Sequence, residues 1–168
     1  GDVANSSLSF KKVLDIFDEA GGERAFPAAF GGGANTADLT DALALIIDAA
    51  IGRAKALWAL TPWLYVETAR EVIELLRGHA LPMLAYVPEY RMKVASECAR
   101  WGIECQKRGA HSSAIELLFE ATTISEQDAH ATASTKSWML HLALSYVFSV
   151  QQDPQNAEQH TERALSCV

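Results

Sequence analysis

Apolar residues recur along this chain at intervals of three and four, and no segment alternates apolar and polar positions between turn dipeptides. The pattern predicts an all-α fold of about seven helices paired as antiparallel hairpins. Phe10, Val13, Leu14 and Phe17 make one stripe of a first helix over 8–20, with Lys11, Lys12, Asp15 and Asp18 off the stripe. Gly21-Gly22 ends it. Residues 23–37 hold Pro27 and Gly31-Gly32-Gly33 and read as a flexible linker. Asp38 starts a helix that runs to about Leu60. Thr61-Pro62 reads as an N-cap with proline at the first helical position, opening a helix that ends at Gly78. Leu81 to Val87, with Pro82, is irregular or a single turn.

Beyond it, Pro88 opens a long helix that closes at Gly109. Ser113 with Glu116 predicts a capping box, and Ser125 with Asp128 repeats the pattern. The next helix carries Trp138, Leu142, Tyr146 and Val150, and Asp153-Pro154 starts the last one. The expected organisation is a single domain: an N-terminal amphipathic helix (1–22), the linker (23–37), a helical hairpin (38–87) and a C-terminal region (88–168).

The C-terminal region contains a recurring unit. In ASECARWGIECQKRGAHSSAIELLFEATTI, Gly102 is a small residue within the first helix and Gly109 stands in the turn. Ala114 and Ala121 are small positions of the second helix, with Leu118 between them. Small residues let two helices approach until the large ones interlock. Residues 95–126 resemble a tetratricopeptide repeat, a helix–turn–helix unit of about 34 residues. Cys98 and Cys105 stand where the family carries aromatics, and the closing proline is missing near Glu126. A divergent second unit spans 135–168. Trp138, Ala143 and Tyr146 suit its first helix, and Ala157, Ala164 and Leu165 its second. Its turn reads about two residues longer than the family's, and Thr161 replaces a bulky apolar residue. The resemblance covers Ala95 to Val168, under half the chain. A generic antiparallel hairpin with alanines at the crossing is the alternative.

The resemblance implies a right-handed α-solenoid whose concave face is lined by the first helix of each pair. That face would include Ser96, Ala99, Ile103, Gln106 and Lys107, then Leu140, Leu144, Val147 and Phe148. It implies a non-catalytic protein–protein interaction scaffold or adaptor that holds a peptide or an amphipathic helix in an apolar groove. The Lys and Asn pattern with which some family members clamp a terminal carboxylate is missing. The chain stops at Val168 where a repeat ends, with no polar cap. This is expected of a fragment of a longer array, or of a homodimer formed through that end.

Composition narrows the picture. Of 168 residues, 49% are apolar, enough to build a core. The net charge of −7 and the scattering of 14 basic residues argue against nucleic acid as a partner. The most apolar stretch, Ala42 to Ile51, is broken by Asp48 and followed by Arg53 and Lys55, so no membrane span is expected. No leader pattern is visible, and a start at Gly1 without Met is expected of a processed chain or of one carrying a tag scar. Three cysteines do not make a disulfide framework, which points to an intracellular, reducing compartment, cytoplasm or nucleus.

Candidate chemistry is sparse. Gly31-Gly32-Gly33 lacks the preceding strand and the Gly-Lys-Ser/Thr of a phosphate loop. Cys98 and Cys105 lie two helical turns apart, too far for a disulfide, and are expected to be core. His79, His111, His130, His141 and His160 never reach metal-ligand spacing and are expected at the surface or at caps; Glu126 and His130 are only i, i+4 neighbours. No catalytic residue, metal or cofactor is expected. A small helical-bundle enzyme or ligand carrier is the alternative, and its mark would be a deep polar pocket.

Trp58, Trp63, Trp101 and Trp138 are expected in the core, with Trp63 or Tyr65 available to a partner. The Phe10–Phe17 stripe needs cover. Either the first helix docks in the groove, its own or that of a second copy, or it packs on the 38–78 hairpin as an ordinary core element.

Overall fold

The computed structural model describes residues 2–25, 36–61, 63–127 and 137–167. Regular structure among them is entirely helical. The α-helices are α1 (Asp2–Glu19), α2 (Thr36–Leu60), α3 (Tyr65–Leu75), α4 (Arg91–Lys107), α5 (His111–Gln127), α6 (Ser137–Val150) and α7 (Pro154–Ser166). The chain divides into two compact units, Gly1–Tyr90 and Arg91–Val168. Each unit closes a core of its own, around Leu43, Ile47, Val72 and Met83 in the first and Trp101, Leu117, Leu118 and Leu144 in the second.

In the first unit α1 lies along α2. Leu14 and Phe17 are buried and Phe10 and Val13 half-buried, so the stripe faces the core. A Cβ at Gly52 would stand 2.6 Å from Phe10 Cζ, so the absence of a side chain there lets the ring sit against the α2 backbone. The helix starts at Asp2, six residues before the apolar stripe suggests. A polar contact accounts for its early turns: Arg53 Nη1 donates to the backbone oxygen and Oγ of buried Ser7 at 3.3 Å. The first helix is thus a core element of its own unit.

The α2–α3 link departs from expectation. Thr61 does not open the next helix. Its Oγ1 donates to Leu57 O and pairs with Thr68 Oγ1, both at 2.8 Å, so it seals the end of α2, and α3 begins only at Tyr65. Nor does that helix stop at Gly78. It widens into a π turn over Leu76–Ala80, closed by Leu81 N–H donating to Leu76 O, and continues as 3₁₀ turns at Pro82–Ala85 and Pro88–Tyr90. Gly21 and Gly22 have φ of 102° and 56° and end α1 as expected, and Gly22–Ala25 forms a 3₁₀ turn. Pro27, Gly31-Gly32-Gly33 and Pro62 lie outside the described residues.

The second unit is two hairpins, α4–α5 and α6–α7, and they share one backbone plan. Gly109 (φ 79°) and Gln152 (φ 60°) are the left-handed residues of their turns and stand 43 residues apart. At the same offset, Ala110 N–H donates to Cys105 O and Asp153 N–H to Phe148 O, both 2.9 Å. Lys107 and Val150 end the first helices, and His111 and Pro154 start the second ones. The turns are therefore equal in length, and the apparent two-residue extension of the second disappears. Asp153 caps α7 as expected, accepting from Asn156 N–H at 3.2 Å with Pro154 at the first position. The two capping boxes do not form. Ser113 lies inside α5, Ser125 Oγ donates back to Ala121 O at 2.8 Å, and Asp128 is outside the described residues.

Candidate interaction surface

The common register tells which side chains are equivalent in the two hairpins. In the first, a Cβ at Gly102 would meet Leu118 Cγ at 2.8 Å and Leu118 N at 3.3 Å. The helices cross there, with Ala114 and Ala121 buried on either side of Leu118. Cys98 and Cys105 are fully buried, and desolvation pushes both thiols up to about 12. For Cys98 the carboxylates of Glu120 and Glu97 add to that effect. These thiols fill space and are far from being nucleophiles at neutral pH.

In the second hairpin the positions of Gly102 and Leu118 are held by Ser145 and Thr161, whose hydroxyls share a hydrogen bond of 2.7 Å. Ala157 and Ala164 are buried as Ala114 and Ala121 are. Ala143, expected at the crossing, is only half-buried, because Ser145 occupies that register position.

The same two-residue shift relocates the expected groove. Leu140, Leu144, Val147 and Phe148 are buried in the core of their own unit, so no partner can line up along them. The outward stripe of α6 is instead Met139, Leu142, Tyr146 and Val150, which are 53%, 44%, 57% and 44% exposed. No Asp, Glu, Lys or Arg occurs between Ser137 and Val150, so neither face of α6 carries one of these charged side chains. On α4 the equivalents of the stripe are Ser96, Ala99, Ile103 and Lys107; Ala99 is half-buried and the other three exposed. Gln106 is half-buried beside them. A cleft of about 40 Å³ opens where α4, α5 and α6 meet, lined by Met92, Ala95, Ser96, Ala99, Ser125 and Leu140. It has room for a few waters, far below the several hundred Å³ of a small-molecule site.

Two histidines expected at the surface are core residues. His141 on α6 and His160 on α7 are almost fully buried, with their Nδ1 atoms 3.0 Å apart. They occupy the positions of Cys98 and Leu117 in the first hairpin. Glu126 Oε1 on α5 lies 3.4 Å from His141 Nε2. The carboxylate assigns a proton to that nitrogen, which leaves His141 Nδ1 as acceptor and His160 Nδ1–H as donor. His160 stacks on Phe148 and meets Phe119 edge-on, with ring centroids 5.6 and 5.3 Å away. Burial lowers the pKa of both rings. Glu126 opposes that shift at both rings and Arg163 reinforces it at both, while His141 lowers the pKa of His160 further. The sequence signal that was missed is the register itself: both imidazoles fall on positions that carry buried residues one hairpin earlier.

Among the tryptophans, Trp101 is buried, Trp58 and Trp138 are half-buried, and Trp63 is 71% exposed at the α2–α3 link. His79 Nε2 pairs with Asp18 Oδ2 at 3.1 Å in the first unit, and His111 begins α5. His130 is outside the described residues. Among the described residues no group of three or more His, Cys, Asp and Glu is placed to hold a metal, and no helix is long and apolar enough to cross a membrane. Compared with protein-family models, with curated proteins and with solved structures, the chain matches none.

Proposed function

We propose that the α4–α7 unit is a non-catalytic interaction module of the tetratricopeptide type, a scaffold or adaptor. Its first helices would present an apolar surface to an amphipathic helix of a partner protein. The observation that carries this reading is the exposed stripe Met139, Leu142, Tyr146 and Val150 on a helix without charged side chains. An isolated exposed apolar residue is ordinary, but four at helical spacing form a contiguous patch of the kind that marks interaction surfaces. The shared backbone plan of the two hairpins supports repeat architecture, and α5 and α6 pack together to join the two hairpins. An amphipathic helix fits because the stripe is narrow, apolar and one helix long. An enzyme or ligand carrier draws no support from the α4–α5–α6 cleft, which is too small for a substrate.

Affinity capture from a native lysate, comparing the wild type with a Leu142→Asp/Tyr146→Asp variant, tests the proposal. Proteins retained by the wild type and lost with the variant are expected. Identical captured sets would contradict it.

A further inference from the structure

The second hairpin is sealed by a titratable pair where the first is sealed by a thiol and a leucine. We propose that Glu126, His141 and His160 form an acid-sensitive latch that holds α6 and α7 to each other and to α5.

The geometry supplies the mechanism. At neutral pH one N–H···N bond joins the two Nδ1 atoms at 3.0 Å, and Glu126 accepts from the far side of His141. A first added proton can sit on His160 Nε2 without breaking that bond, since His160 already donates through Nδ1. A second proton must go to His141 Nδ1. Two N–H groups would then point at each other across 3.0 Å, each on a cation, in a site walled by Phe119 and Phe148. That arrangement has no relaxed form with the helices in place.

Among the described residues, the charged groups that act on the pair are Glu126 from α5 and Arg163 from α7. The only other titratable side chain on α6 is Tyr146, on its outward stripe. Glu126 is half-exposed, so one screened carboxylate faces two imidazoliums and Arg163. Burial lowers the pKa of both histidines in the folded chain, whereas unfolded histidines keep a pKa of about 6.5. The unfolded state therefore binds more protons below about pH 6.5, and stability falls as pH falls through that value. Above it the latch is closed. The latch does not depend on what docks on α6.

Imidazole NMR of the full chain between pH 8 and 5, with amide hydrogen exchange over the same range, tests it. His141 and His160 are expected to stay neutral at pH 7 and to titrate below the ordinary histidine value. At pH 5.5, exchange protection in α6 and α7 is expected to drop at least tenfold relative to α4, after correction for intrinsic rates. Titration at the ordinary value, or protection that falls equally in α4, would overturn the proposal. The His141→Cys/His160→Leu variant installs the residues that the first hairpin uses at the same positions. It should lose the selective acid response, and a variant that kept it would also overturn the latch. Should that variant fail to fold, the wild-type titration decides alone.

Discussion

The α4–α5 and α6–α7 hairpins turn through a left-handed residue at the same position, start and stop at equivalent positions, and bury equivalent alanines. They differ in what fills the seam. Gly102 against Leu118 and buried Cys98 make the first one apolar and tight. Ser145 with Thr161 and His141 with His160 make the second one hydrogen-bonded and titratable. One backbone plan thus accepts two chemistries. Dispersion and close approach hold the first pair, which pH leaves untouched. Directional hydrogen bonds join the second, and the one between the imidazoles depends on protonation state.

The largest expected effect lies at the apolar crossing. Gly102→Leu should destabilise the chain by about 3 kcal/mol, because the Leu118 side chain and backbone leave no space for it. At the equivalent position, Ser145→Leu should cost no more than about 1 kcal/mol, since Ser145 is half-buried and Thr161 is exposed. Denaturant midpoints of the two variants check the contrast, and equal losses would break it.

Acid comes next. Each buried histidine can remove up to about 1.4 kcal/mol of stability per pH unit below its unfolded pKa. Between pH 7.5 and 5.5 the wild type should therefore lose stability, because burial lowers the pKa of both rings. Cys98 and Cys105 stay protonated throughout that range, so the two thiols contribute nothing to the slope. Chemical denaturation at several pH values gives the number.

A third pair of substitutions tests the turns. Gly109→Ala should destabilise by about 1 kcal/mol, through its φ of 79° alone, for no atom lies within 4 Å of the added methyl. Gln152→Gly should stabilise by about 1 kcal/mol, since a residue with a side chain sits there at φ 60°. Effects of the same sign would mean that the two turns are not equivalent.

Smallest in stability is the outward stripe. Leu142→Asp and Tyr146→Asp should each stay within about 0.5 kcal/mol of wild type by thermal melting, since both side chains are largely exposed.

Helix content, the first hairpin and the Gly109 turn were legible in the sequence because Gly102, Ala114, Leu118 and Ala121 leave few alternatives at a tight crossing. The register of α6 was not. Its residues from Trp138 to Val150 are so uniformly apolar that no face stands out, and periodicity cannot choose between Leu140–Leu144–Phe148 and Leu142–Tyr146–Val150. Two further cues misled: histidines at core positions read as polar, and Ala143 offered a false small residue two positions before Ser145. In the first unit, the Thr61 hydroxyl turned back to Leu57 instead of capping forward, and local pattern cannot foresee which carbonyl a threonine will find. The π turn at Leu76–Ala80 likewise has no periodic signature.

Site-specific photo-crosslinking asks whether a partner helix meets the outward face of α6, as proposed above. A photoreactive residue is placed at Met139 or Tyr146 on the stripe, and separately at exposed Glu158 on α7, and the protein is irradiated in its native lysate. A discrete crosslinked species is expected from the two α6 positions and none from Glu158. Equal crosslinking at all three, or none at Met139 and Tyr146, would contradict it.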